Sequence, residues 1–414
     1  MASIIDISKD FSLYLRKEDG DGLNELLHIF SVSGIDNEIP EDILDSTHIL
    51  QNDVRQLITA YIQLQQVYLQ DSNSLRLFNA YSNLITAFNK YAEAKTNWIM
   101  IPIMTLAKFL TKTAIDSDKE LDSQNGGAFE KTEVENCLTK AGRILDVSKR
   151  LCLTDRNEDD RSSKRRFIYF FAGQQLKIYH KLQNIPLAKN LEKVLASKQR
   201  ELPSLYEIPK SQAIPYLYYS GIIKCGESEF RTALEKFKLA FELSHRNADL
   251  KNQELILIYL IPLNFLIHKK YPKQNVFDTY PNIKVLYEDL IESLKIGDLR
   301  KFDSYFEDLE IFFLKKTLYL AIENLRNYVS LKLIRNVFKI TEVKTHFNIN
   351  SITKAIQYSK YHDSNRLKPV ELNNDDTECL LANLIYKGLI KGYISHVNEI
   401  LVLSKVDPFP KQVS

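Results

Sequence analysis

The sequence predicts an all-α fold, a right-handed array of tetratricopeptide-like helical repeats that ends in a small C-terminal winged helix. Three observations predict it. Only 12 Gly and 12 Pro punctuate 414 residues, too few for a β architecture with a turn about every ten residues. Long segments between them carry apolar residues three and four apart, the repeat of one helix face. From Leu331 onward the pattern changes to short helices followed by two β-prone runs. At 44% hydrophobic and 26% charged, the composition is that of a folded globular chain, long enough for two or three domains or one solenoid.

In chain order, residues 1–48 read as short amphipathic pieces parted by turn signals, Gly20-Asp21-Gly22 and Ile39-Pro40. From Gln51 to Leu110 the helices are long. One stripe starts with Ile58, Tyr61, Ile62 and Leu64; a second holds Leu75, Phe78, Tyr81, Leu84 and Phe88. Trp98 to Leu110 is a more apolar helix that Pro102 starts or bends. The polar stretch Asp116 to Gly127 reads as a surface loop and a boundary. Thr154 to Arg166 is charged, and its Lys164-Arg165-Arg166 cluster reads either as a solvated helix start or as an import signal or RNA contact.

Beyond Phe167 the helices come in pairs. Gly221, Ala233, Phe237 and Ala240 stand at the offsets of small and bulky packing residues in a tetratricopeptide unit, with Phe230 and Phe241 filling the seam to the next pair. The apolar run Leu255 to Ile267, interrupted by Pro262, is shorter than the roughly 20 residues of a membrane span and reads as a core helix. Three short helices follow: Leu331 to Ile340, Ser351 to Tyr361 and Asp376 to Tyr386. The runs Leu389 to Ser395 and Ile400 to Ser404 then alternate as a half-exposed hairpin joined by His396-Val397-Asn398-Glu399. Helix, helix, helix, hairpin is the order of a winged helix. The reading thus gives an N-terminal helical region (1–115), helical repeats (128–325) and a winged helix (326–410).

Several function classes lack their residues. No GxxxxGK[ST] or GxGxxG loop is present to cradle phosphates, and no HExxH, HxH or GxSxG carries hydrolytic chemistry, so no catalytic residue, cofactor or metal ligand is named. Asp19-Gly-Asp21-Gly lacks the later ligands of a calcium loop. Cys137, Cys152, Cys225 and Cys379 form no CxxC and read as small hydrophobes of a reducing compartment. The N-terminus carries acids early and no apolar segment, unlike a secretory signal. A formal net charge of +2 confines any nucleic-acid surface to a local patch.

The run CLLANLIYKGLIKGYISHVNEILVLSKVDPFP (Cys379 to Pro410) resembles the closing winged helix of PCI-domain proteins, nearest the group of signalosome subunit 12 and PCI domain-containing protein 2. RRFIYFFAGQQLKIYHKL (Arg165 to Leu182), ALEKFKLAFELSHRN (Ala233 to Asn247), LILIYLIPL (Leu255 to Leu263) and TNWIMIPIMTLAKFL (Thr96 to Leu110) are similar to that group too, so the resemblance covers residues 96–410. It implies a non-enzymatic scaffold that pairs through its winged helix with a second, larger PCI protein and carries a small acidic DSS-type protein along its repeats. The implied setting is a nuclear complex for transcription-coupled mRNA processing or export, with a nuclear or nuclear and cytoplasmic location. The alternative is an accessory subunit of a COP9-type signalosome, which acts in cullin deneddylation, with no nucleic-acid role. Neither setting involves a membrane or a small-molecule substrate.

Leu331 to Pro369 holds eight bases against two acids, with Tyr358, Tyr361, His346 and His362 interleaved. That pattern suits single-stranded RNA or equally a plain solvated face. The candidate nucleic-acid residues are Lys354, Lys360, Arg366 and Lys368, with Lys391, His396 and Lys405 of the wing. His396 reads as a hydrogen-bonded turn histidine rather than a zinc ligand. The helix before the wing begins with acids, Asp376 as its cap, which argues against base reading in a major groove. Lys315 and Lys316, beside Tyr305, Phe306, Phe312 and Phe313, make a candidate rim for the acidic protein unless those aromatics are core. Pro408, Phe409 and Pro410 are candidates for the winged-helix interface.

Overall fold

Apolar spacing becomes helix over most of the described residues. The structure, a computed structural model, describes residues 4–28, 52–70, 73–124, 136–244, 250–341, 345–361 and 372–410. Two compact units form, Met1–Ser220 and Gly221–Ser414.

The first unit holds α1 (Ile4–Lys17), α2 (Gly20–Leu26), α3 (Asn52–Gln70), α4 (Ser74–Ala92), α5 (Met100–Gln124), α6 (Cys137–Leu153), α7 (Ile168–Lys181), α8 (Ile185–Ser197) and the start of α9 (Lys210–Gly226). From α3 to α7 each helix packs on the next in sequence, so an amphipathic stripe is buried mainly by helices close to it in the chain. Ile58, Tyr61, Ile62 and Leu64 are buried on α3, and Phe78, Tyr81, Leu84 and Phe88 on α4; Leu75, in the first turn, stays exposed. Phe11 of α1 stacks on Tyr61 at 4.9 Å and meets Phe88 edge-on at 6.1 Å. Burying one such ring contributes roughly 1.5–3 kcal/mol. The glycines expected to make a turn instead open α2: Asp19 caps it by accepting from the Gly22 N–H at 2.9 Å, and a Cβ on Gly20 would lie 2.2 Å from the Trp98 carbonyl.

Two local expectations are corrected in this unit. Asp116 to Gln124 is not a loop but the last turns of α5. Its polar side chains have helical partners: the Asp118 carboxylate accepts from the Cys137 and Leu138 N–H groups at 2.9 and 3.0 Å, capping α6, and Ser74 donates to Glu120 at 2.6 Å. In the cluster at 164–166 only Arg166 is exposed as a solvated start would be. Lys164 is buried, and its ammonium donates to the Ala92 carbonyl at 2.7 Å. Arg165 binds the Asp155 carbonyl through Nη2 at 2.6 Å, while the Asp155 carboxylate accepts from the Lys164 N–H and the Ser163 hydroxyl at 2.7 and 2.9 Å. Burial pulls the Lys164 pKa below its ordinary value.

The second unit continues with the end of α9, α10 (Phe230–Leu243), α11 (Leu250–His268), α12 (Gln274–Thr279), α13 (Pro281–Ile296), α14 (Leu299–Asp308), α15 (Glu310–Lys315) and α16 (Tyr319–Thr341). Gly221 and Phe237 meet as their spacing predicts, since a Cβ on Gly221 would lie 2.8 Å from the Phe237 ring. Phe237 in turn stacks on Tyr259 of α11 at 4.6 Å. Phe230 and Phe241 are only half-buried. Helix α11 is 19 residues long, more than its apolar run alone implied. It and the stretch Asn97–Ser123 have the length and composition of a membrane span, yet α11 packs on α10, α13 and α16. Gly297 ends α13 in the left-handed region at φ 89°, a conformation that costs a side chain dearly.

Candidate functional site

The winged helix is built from the end of α16, β1 (His346–Asn348), α17 (Ile349–Tyr361), α18 (Asn374–Tyr386), β2 (Gly392–Ser395) and β3 (Ile400–Leu403). Its first helix is no separate short element: Leu331 to Ile340 is the C-terminal half of the 23-residue α16. The sheet has three strands in the order β1-β3-β2, both pairs antiparallel, with Phe347 opposite Leu401 and Ile394 opposite Leu401 on the other side. Strand β1 escaped the sequence reading; its signal is the single buried Phe347 between exposed His346 and Asn348, too short to show a period. Leu389 and Ile390 are buried but precede the strand, turning off α18 through N–H bonds to the Leu384 carbonyl at 2.9 and 3.4 Å. Gly392 is required by the sheet, because a Cβ there would lie 2.3 Å from the Val402 carbonyl oxygen.

Polar contacts fix the two helices under the sheet. Asn373, not Asp376, is the cap of α18: its side chain accepts from the Asp376 N–H at 2.8 Å, and the Asp376 carboxylate accepts from the Asn373 N–H at 3.2 Å. The buried Thr353 and Thr377 hydroxyls meet at 2.8 Å, joining α17 to α18.

The wing turn is closed by the Glu399 N–H on the His396 carbonyl at 3.1 Å, with Glu399 in the left-handed region at φ 50°. The acid that pairs with His396 is Glu378 of α18, 2.8 Å from Nδ1, rather than its sequence neighbour Glu399. The hydrogen bond and charge of Glu378 raise the His396 pKa above its ordinary value, with smaller contributions from Asp375 and Glu399. Asp375, Glu378 and His396 bring one donor atom each within 4.8 Å of one another, an exposed acidic cluster already charge-paired by the histidine.

The tail is tied down by its own chain. Lys391 N–H donates to the Pro408 carbonyl at 2.8 Å, and Phe409 is buried against Phe338 of α16, ring centroids 5.3 Å apart. Pro408 and Pro410 are half-buried beside it.

Of the remaining candidate residues, Lys354 and Lys405 are exposed and Lys360 is half-buried. Lys391 is exposed with Asp407 at 3.9 Å. Arg366 and Lys368 lie outside the described residues. Tyr358 shares the Lys354 face of α17 one turn on and is 71% exposed. Tyr386 and Tyr393, which the sequence reading passed over, are 91% and 63% exposed. On α15, Lys315 is exposed and Lys316 lies 5.9 Å above the Phe312 ring. The neighbouring aromatics divide: Tyr305 and Phe313 belong to the core, whereas Phe306 and Phe312 are half-buried. Cys137, Cys152 and Cys225 are buried, and burial pushes the thiols of Cys137 and Cys225 up to about 11 and 12, so they remain protonated small hydrophobes; Cys379 is exposed.

Comparison with known proteins places this geometry in a family. Residues 305–405 match the PCI domain model. The Protein CSN12 homolog of Debaryomyces hansenii is 32% identical over 388 residues, 88% of this chain and 87% of that one. The Cop9 signalosome complex subunit 12 of Saccharomyces cerevisiae is 32% identical, covering 81% of this chain and 80% of its own. The PCI domain-containing protein 2 homolog of Dictyostelium discoideum is 29% identical over 81% of this chain and 75% of its own length. With helical units leading into a three-stranded winged helix, and with similarity running through both, the chain belongs to the PCI-domain family, in the group of the CSN12 proteins.

Proposed function

We propose that this chain is a non-catalytic scaffold subunit of a signalosome-type complex, pairing through its winged helix with a second PCI protein. The observation that carries the reading is the similarity, over 82% and 81% of this chain, to proteins named as COP9 signalosome complex subunit 12. The sheet supports the mode of pairing. Strand β2 bonds only β3 among the described residues, leaving its outer edge and the exposed Tyr393 available to another chain. Affinity purification of the full chain from native extract tests it: cullin-modifying subunits with a PCI partner are expected, and purification without any PCI protein overturns it.

A second reading is membership of a nuclear complex for mRNA processing or export, with a DSS-type acidic protein and RNA as further partners. Exposed Lys354 beside Tyr358, with exposed Lys391 and Lys405, favours contact with single-stranded RNA. Lys315 and Lys316 remain the candidate rim for the acidic protein. Processing or export factors in the same purification, with RNA protected from nuclease, support this reading over the first.

A further inference from the structure

The second unit contains a cavity of about 380 Å³ where the C-terminal end of α11 faces α13, α16 and the Leu389–Pro410 side of the winged helix. Its charged lining among the described residues is entirely basic, His268, Lys269, Lys332 and Arg335, with Tyr271 and Tyr328 beside them. These bases come from two helices far apart in sequence, and the fold alone gathers them.

Lys269 is the centre of the arrangement. It follows the end of α11 in the left-handed region, φ 57°, with its N–H on the Phe265 carbonyl at 2.8 Å. Its ammonium lies over the Tyr328 ring, 3.7 Å from the centroid, and donates to the Leu266 carbonyl and the Tyr328 hydroxyl. An ammonium has three donors, so one is left for a ligand. Burial without a countercharge pushes the Lys269 pKa down to about 8. The adjoining His268 is depressed too, by burial first and then by Lys238, Lys270, Arg231 and Lys269; the Lys238 ammonium is 3.2 Å from its ring. Among the described residues, none of Arg231, Lys238, Lys269, Lys270, Lys332 or Arg335 forms an ion pair.

Uncompensated cations converging on a half-enclosed cavity call for an anion. The volume is in the range that holds a small molecule. A phosphate group offers at least three acceptor oxygens to bases arriving from two helices, where a carboxylate offers two. Leu294, Leu331 and Leu389, with the Tyr271 ring that Lys295 overlies at 5.5 Å, provide an apolar wall for a ring attached to that phosphate. We propose that this cavity is a phosphate-binding site, seating the phosphate of a nucleotide between Lys269, Lys332 and Arg335 with the attached ring system toward Tyr271. The phosphate belongs either to a free nucleotide or to an RNA chain, and the site goes beyond the assembly reading without depending on it.

Calorimetric titration of the full chain tests the proposal with four probes: adenosine 5′-monophosphate, adenosine, a short oligouridylate and a decamer of glutamate. Binding of the monophosphate but not of adenosine is expected. Lys332→Gln and Lys269→Gln should each weaken it by on the order of tenfold, one charge-assisted hydrogen bond's worth. Lys269→Arg should retain most of the affinity, and unchanged melting of Lys332→Gln excludes a folding defect. Binding of oligouridylate alone, with the same sensitivity to Lys332→Gln, keeps the phosphate site and identifies RNA as its source. Binding of the glutamate decamer alone, or of no probe, overturns the proposal.

Discussion

The guanidinium of Arg335 lies 5.4 Å from the centre of the Phe409 ring while its Nη2 donates to the Phe409 carbonyl at 3.0 Å. One side chain of α16 thus holds both the ring and the backbone of the tail, and Phe338 of the same helix meets the ring edge-on. A residue that sequence alone marks for a partner is here part of the chain's own core.

Phe409→Ala should therefore act first on stability. Removing a buried aromatic side chain costs about 3–5 kcal/mol, and Arg335→Met about 1–3 kcal/mol through the lost charged hydrogen bond and ring contact. Urea unfolding of the isolated chain measures both. Native stability of Phe409→Ala combined with lost partner capture would instead return Phe409 to the interface.

Gly392→Ala should disrupt the hairpin, because the new Cβ meets the Val402 carbonyl oxygen at 2.3 Å. A loss of roughly 1–3 kcal/mol is expected from such overpacking. Amide exchange in β3 should accelerate, and unchanged protection there would contradict the sheet geometry.

The His396–Glu378 pair predicts a measurable titration. Because Glu378 raises the folded pKa of His396, the pair stabilises the wing below the ordinary histidine value of about 6.5. That contribution is lost as pH rises through the shifted value. Ring resonances should report a pKa above 6.5, and Glu378→Gln should return it toward that value. No response to Glu378→Gln would dissolve the pair.

Replacing Lys354, Lys391 and Lys405 with Gln should weaken binding of unrelated single-stranded RNAs about equally. The salt dependence should flatten by about one phosphate contact for each lysine that touches the backbone. A loss confined to one RNA sequence would mean that the wing reads bases.

Lys164→Met should destabilise the first unit by about 1 kcal/mol, because the Ala92 carbonyl loses its shorter, charged donor and keeps only the Lys95 N–H at 3.2 Å. Thermal or urea unfolding checks it, and a neutral outcome would show that water reaches Ala92.

What the sequence made legible is what local burial dictates. The stripes of α3 and α4 follow the helical period because helices close in the chain cover them, and the alternation around Gly392 declares a strand with one covered face. What it hid depends on residues far away. Strand β1 is defined by pairing Phe347 with Leu401, the end of α5 by donors that belong to α6, and the role of Lys164 by a carbonyl 72 positions earlier. Asn373 and Asp376, three residues apart, both suit the start of α18, and only the reciprocal hydrogen bonds make Asn373 the cap. The cavity around Lys269 is hidden for a similar reason, since its bases come from the end of α11 and from α16, more than 60 residues apart.

The buried lysine also changes how the Lys164-Arg165-Arg166 string can be read by the cell. A transport receptor or modifying enzyme grips such a string as an extended, solvated strand, and here its first ammonium is locked beneath Ala92 and its second cation onto Asp155. Arg166 stays exposed, but the string becomes available as a whole only when this corner of the first unit opens. Slow reaction of Lys164 with an amine-directed reagent, against rapid reaction of exposed Lys354, would turn that opening into a measurable rate.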